Sequence, residues 1–158
     1  MTNLKPFGMR TLAIIAIATA GLTLSGCSMF NRAFGSSDDV DTIDYVDLKV
    51  GDCLRDFDND DPSSIPSVSC SKMHDSEVYA VIPLGDGKYP GDLKIFRDAK
   101  FGCIEQFDAF VGTSYIESEL EYTYYGPDEF SWRDGDHAIR CAVWSLGGSR
   151  HSLKNSQR

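Results

Sequence analysis

The sequence predicts an α+β fold: a small, mostly antiparallel sheet with one principal helix packed on one face, closed by two disulfides. Three observations predict it. One long amphipathic stripe lies between Asp92 and Val111, short alternating runs flank it on both sides, and Cys53, Cys70, Cys103 and Cys141 are spread through the same region. A run of strands with a single helix, rather than a regular strand–helix alternation, reads as an antiparallel sheet with a helix on one face.

The first strand is expected at Tyr45–Val50, where Val46, Leu48 and Val50 alternate with Tyr45, Asp47 and Lys49. A period of two marks a half-buried strand. Gly51-Asp52-Cys53 ends it. Leu54 to Ser67 is acidic and then rich in Pro and Ser, so it is expected to be a surface loop. A second strand is expected near Glu77–Pro83, closed by the turn Gly85-Asp86-Gly87.

Pro90-Gly91-Asp92 opens the helix, with Asp92 as the expected N-cap. At 100° per residue, Leu93, Phe96, Ala99, Cys103, Phe107 and Phe110 fall on one apolar face turned to a core. Gly112 is a natural stop. Gly102, inside the helix, has no reason visible in the sequence, although glycine there costs about 1 kcal/mol relative to alanine. Two further strands are expected at Leu120–Tyr125 and Ala138–Leu146, and the polar tail from Gly147 is expected to fray or to form a short edge strand.

The same pattern favours one of the three disulfide pairings. Cys103 lies in the helix stripe, and Cys141 shares an inward strand face with Ile139 and Val143, so packing the helix on that face brings the two together. Cys53 and Cys70 flank the same acidic loop. The pairs are therefore Cys53–Cys70 and Cys103–Cys141. Four cysteines in a small exported domain most often form two bridges. Zinc calls for close C-x-x-C pairs, which these spacings do not provide.

Export is the most legible feature of the chain. Lys5 and Arg10 precede an apolar run from Thr11 to Leu24, followed by Leu24-Ser25-Gly26-Cys27. The run of about 14 residues would make about 21 Å of helix, short of the roughly 30 Å hydrocarbon core. The tetrapeptide looks like a bacterial lipobox. The expectation is a signal peptide over 1–26, cleavage before Cys27, and acylation of that residue as with palmitate. Each buried methylene adds about 0.8 kcal/mol, and two or three acyl chains hold where one holds only marginally. Residues 27–42, polar and centred on Gly and Ser, then read as a tether with a span on the order of 20 Å. Residues 43–147 form the expected domain, and 148–158 the polar tail.

The whole chain carries a formal charge of −9, and loss of Lys5 and Arg10 with the leader makes it more acidic still. Such a surface repels phosphate backbones and anionic head groups, which argues against nucleic acid and electrostatic membrane docking. With 42% hydrophobic residues the chain has enough to bury, so it is not a disordered sequence.

Candidate chemistry is sparse. His74, Asp75 and Glu77 suggest acid–base work, but a strand would send His74 and Glu77 to opposite faces, and no Ser stands in a G-x-S-x-G setting. Asp56, Asp58 and Asp60, with Asp61, resemble the start of a calcium loop. An EF-hand needs Gly at its sixth position and Glu at its twelfth, and Asp61 and Ser67 stand there, so only a loose surface site is left open. Tyr122, Tyr124, Tyr125 and Trp132 crowd the second half with Tyr115 and Phe130. They could form a sugar- or protein-binding patch, or pack the sheet.

Several phrases together resemble the septum formation family: Val50-Gly51-Asp52-Cys53, then Cys70 with His74 and Glu77-Val78-Tyr79-Ala80, the helix with Cys103, Ser131-Trp132, Gly135-Asp136 and Arg140-Cys141. Met73 stands where the resemblance leads one to expect Pro. The resemblance spans about Val46 to Leu146. It implies a small extracytoplasmic domain of actinobacteria, often on lipoproteins or beside membrane anchors, working at the cell envelope and linked to division; it brings no catalytic residues. The expected function is thus a non-catalytic binding or scaffolding module. It needs no cofactor, is held at the outer face of the cell membrane by lipid on Cys27, and meets an envelope protein or cell-wall partner. The alternatives are an envelope hydrolase with an unrecognised site or a loose calcium-binding module.

Overall fold

The computed structural model describes residues 40–55 and 64–158. Six strands form one antiparallel sheet: β1 (Asp41–Asp44), β2 (Cys53–Leu54), β3 (Ser64–Val68), β4 (His74–Pro83), β5 (Glu121–Tyr125) and β6 (Ala138–Ser149), in the order β1-β3-β2-β4-β6-β5. Helix α1 (Asp92–Val111) packs on one face, and a short α2 (Glu129–Arg133) precedes β6. The expected α+β class and both expected disulfides are present, with Cα separations of 5.3 Å for Cys53–Cys70 and 5.6 Å for Cys103–Cys141.

The long central pair, β4 and β6, divides two cores. On the helix side, Ile95, Ala99, Cys103, Phe107, Phe110 and Val111 pack on Ile139, Cys141 and Val143. On the other side, Leu48, Leu54, Ile65, Val78 and Ala142 form a smaller cluster. A register shift between Val78 and Ala80 lets Tyr79 and Ala80 both join the helix-side core while Val78 joins the other. A bulge breaks the strict alternation of a strand in this way.

Four sequence expectations need correction. Tyr45–Val50 is not a strand: β1 lies just before it, and Tyr45–Asp47 is a 3₁₀ turn. The Asp44 carboxylate accepts the Val46 N–H at 3.1 Å, so a side-chain cap diverts the backbone from a ladder. Of the three alternating residues only Leu48 is buried; Val50 is exposed. The expected loop from Leu54 to Ser67 holds β2 and β3 at its ends, with Leu54 and Ile65 buried. Pro66 has no N–H for the ladder, but its carbonyl accepts the Arg55 N–H at 2.8 Å.

The helix has the expected bounds and a different cap and face. Gly91, at φ 90°, is the N-cap, and Asp92 is the first helical residue, accepting a hydrogen bond from the Tyr89 hydroxyl. Leu93 (86% exposed) and Phe96 (54% exposed) point to solvent, and Ile95 takes their place in the core. Gly112 closes the helix at φ 87°, donating to the Asp108 carbonyl at 2.8 Å.

The tail is neither frayed nor loose. β6 runs on to Ser149, and the chain then folds back to bury Leu153 beside Phe110 and Val111. Asn155 N–H donates to the Phe110 carbonyl at 2.7 Å and Gln157 N–H to the Val111 carbonyl at 2.9 Å, which satisfies the open carbonyls at the end of α1. Ser152 Oγ and Leu153 N–H both donate to the Glu77 carboxylate, at 2.8 and 2.6 Å. Among the described residues, no helix is long and apolar enough to cross a membrane.

Candidate functional site

The segment after β1 crosses the sheet face opposite α1. Leu48 anchors it in the smaller core, Gly51 N–H donates to the Val78 carbonyl at 2.8 Å, and Arg140 donates through Nη2 to the Val46 carbonyl. Tyr45, and Tyr125 on the edge strand β5, both pack against that smaller core.

The facing wall is α2 and the turn after it. The Asp128 carboxylate accepts the N–H groups of Phe130 and Ser131, each at 2.8 Å, and Ser131 Oγ accepts the Asp128 N–H at 3.1 Å. This reciprocal capping box fixes the start of a helix too short to hold itself. Hydrogen bonding from the Ser131 N–H, foremost, holds the Asp128 carboxyl below its ordinary pKa. Trp132 Nε1 donates to the Gly87 carbonyl at 2.9 Å, and the His137 ring stacks on Trp132 at 4.2 Å between the Asp86 carboxylate and the Trp132 carbonyl. Gly135, at φ 100°, then turns the chain into Asp136.

Between these walls lies a cleft of about 530 Å³. Asp44, Tyr45 and Asp47 form one side and Ser131, Asp134 and Gly135 the other, with Asp136 and Arg140 buried between them. A second hollow of about 400 Å³ shares Tyr45 and is lined also by Tyr124, Tyr125, Gly126 and Asp128. Arg140 Nη1 donates to Asp136 Oδ1 at 2.7 Å and to the Ala138 carbonyl at 3.0 Å. Among the described residues, Asp136 Oδ2 and Arg140 Nε have no partner. A buried polar atom left so costs about 1–3 kcal/mol, and such atoms in native proteins call for an explanation.

The four aromatic candidates of the sequence separate. Tyr124 and Tyr125 line the hollow beside Tyr45. Tyr122 packs edge-on against Tyr115 at the border of the helix-side core, and burial raises its pKa. Trp132, at 6% exposure, is part of that core and offers no surface. Asp44, Tyr45, Asp47, Asp134, Asp136 and Arg140 escaped the sequence reading as site residues. The four-residue spacing of Asp136 and Arg140, within the phrases that carried the family resemblance, was the one available signal.

His74 and Glu77 are both buried and hold different partners. His74 Nδ1 lies 2.9 Å from the Lys72 carbonyl, and Glu77 is occupied by Ser152 and Leu153. The sulfurs of Cys53 and Cys70 lie within 4.8 Å of a Glu77 oxygen, a grouping of ligand type, but the two sulfurs are bonded to each other. Cys27 and the acidic residues Asp56, Asp58 and Asp60 lie outside the described residues.

A family described as septum formation matches the chain over residues 32–141. That stretch includes both disulfides, Tyr45, Asp136 and Arg140. No curated protein and no solved structure matches.

Proposed function

The chain belongs to the septum formation family, and from that membership we propose that it is a non-catalytic binding module, lipid-anchored through Cys27 at the outer face of the cell membrane, that gathers an envelope protein or cell-wall partner during division. One observation carries the binding part of this reading. The tyrosines and carboxylates around Tyr45 form a concave surface in which Asp136 Oδ2 and Arg140 Nε have no partner among the described residues, whereas both ring nitrogens of His137 and the Glu77 carboxylate are engaged in structural hydrogen bonds. A concave site with a few convergent polar groups is the usual form of a binding site.

Ser131 does not favour the hydrolase alternative. Its hydroxyl sits in the capping box with Asp128 and faces the Asp128 backbone, away from the role of a nucleophile paired to a base. The lipid on Cys27 follows from the lipobox resemblance and serves to concentrate the module at one surface, where a weak partner is met more often.

The test is genetic and chemical. Cells whose only copy carries Asp47→Asn, Asp134→Asn and Tyr124→Ala should divide as cells lacking the protein do, although the variant accumulates normally. Full complementation by that variant removes the cleft from the function. For the anchor, a fatty-acid probe should label the natural protein and not Cys27→Ser; equal labelling refutes it.

A further inference from the structure

Resting on the reading of the cleft as a binding site, we infer that its ligand is a basic peptide segment of a partner protein, with a lysine or arginine side chain directed to Asp136. Three features converge on that class.

The first is charge. Asp44, Asp47 and Asp134 are exposed around the cleft, and Asp128 borders the adjoining hollow. Among the described residues Arg140 is the single cation lining either, and both of its terminal nitrogens are engaged, on Asp136, Ala138 and Val46. A cleft lined by one sign of charge concentrates ions of the other sign. An anionic polymer is repelled, and a neutral sugar, whose hydroxyls can donate to carboxylates, leaves their charge uncompensated where a cation does not.

The second is the pair of unmet atoms. The side chains of Asp136 and Arg140 are 2% and 7% exposed, both line the cleft, and Oδ2 of one and Nε of the other have no partner among the described residues. Two residues that line the cleft therefore each carry one buried atom, an acceptor and a donor, without a partner among the described residues. A peptide bearing a cation supplies the complement: an ammonium or guanidinium for Oδ2 and a backbone carbonyl for Nε.

The third is the aromatic floor next to this point. Tyr45 belongs to both hollows, and Tyr124 and Tyr125 extend it. Phenol faces attract cations and accommodate the methylene stem of a lysine or arginine.

Calorimetry on the mature lipidated protein in detergent tests the inference with three probes: an alternating Lys-Gly hexapeptide, the matching Ser-Gly hexapeptide, and an oligomer of N-acetylglucosamine. The Lys-Gly peptide should bind and the other two should not. Its affinity should fall on the order of tenfold between low and physiological salt, as expected for exposed charges. It should fall again on the order of tenfold in Asp47→Asn/Asp134→Asn, whose changes lie at exposed positions. Binding of the sugar instead, or equal binding by the asparagine variant, overturns the inference. So does indifference to the Lys-Gly peptide. If a photo-crosslinker at position 134 still captures a partner in cells, only the ligand class has failed; if it captures none, the binding reading has failed too.

Discussion

The Glu77 carboxylate accepts the backbone N–H of Leu153 at 2.6 Å across 76 residues of chain, joining the start of β4 to the last turn of the protein. Both groups are buried, and the second carboxylate oxygen takes the Ser152 hydroxyl at 2.8 Å. The tail is thus part of the fold, and the helix-side core is completed by Leu153.

Glu77→Ala should destabilise the oxidised protein by about 3 kcal/mol, because one buried and one part-buried hydrogen bond to the carboxylate are lost together. Urea unfolding measures the loss, and amide exchange should quicken at Leu153, Asn155 and Gln157 without quickening across α1. A loss under about 1 kcal/mol would show that the tail is held by other means.

The two disulfides should not be equal. Cys53–Cys70 spans 17 positions and Cys103–Cys141 spans 38. On loop entropy the first contributes about 3 kcal/mol and the second about 4 kcal/mol. Cys103→Ala/Cys141→Ala should therefore unfold at lower urea than Cys53→Ala/Cys70→Ala, with the added loss of packing at two fully buried sites. The reverse order would place the weight of the fold on the link from β2 to the turn between β3 and β4 instead.

Gly102 has its reason in Ile82. A Cβ on Gly102 would lie 2.7 Å from Ile82 Cδ1, the free end of a half-buried side chain. Alanine gains about 1 kcal/mol of helix propensity, and turning Ile82 off its rotamer costs a similar amount. Gly102→Ala alone should be near neutral. In an Ile82→Val background, where Cδ1 is gone, the same change should stabilise by about 1 kcal/mol, and a double-mutant cycle in urea reads the coupling. Purely additive effects would refute the contact.

Alkaline pH should weaken the fold through its tyrosines. Burial drives the Tyr79 pKa far above the ordinary tyrosine value, and the hydroxyl donates to the Cys103 carbonyl at 2.8 Å. Tyr115 is pushed up to about 12, chiefly by its hydrogen bond to Glu121. A pKa raised on folding means that the native state holds the proton more tightly. Its contribution is complete below the unfolded value, about 10, and is lost as pH rises from there towards the folded one. The urea midpoint should be flat up to about pH 9.5 and fall beyond pH 10, less steeply in Tyr79→Phe. An unchanged slope in that variant would exclude Tyr79 as a source.

Much of the fold could be read from residues close in sequence. Asp92–Val111 was legible because a helix repeats its face every three to four residues, and Ile139, Cys141 and Val143 because a strand repeats every two. Those two periods together brought Cys103 to Cys141. Tyr45–Val50 misled because a capping carboxylate one residue earlier overrides an alternating pattern, and β3 was hidden by its Ser and Pro content. The placement of the tail and the cleft depends on partners far away in the chain: Glu77 with Leu153, and Val46 with Arg140 across 94 residues. No local periodicity encodes such pairs. Tyr124 and Tyr125 were visible as candidates, but only the crossing of Tyr45 over the sheet shows which side of them is concave.

The most direct measurement is site-specific photo-crosslinking in dividing cells. A crosslinking amino acid at Asp134, in the cleft wall, should capture one defined partner, and the same group at Leu146, an exposed position outside both hollows, should capture none. Equal capture from the two positions, or capture from Leu146 alone, would contradict a working surface built around Tyr45 and Asp136.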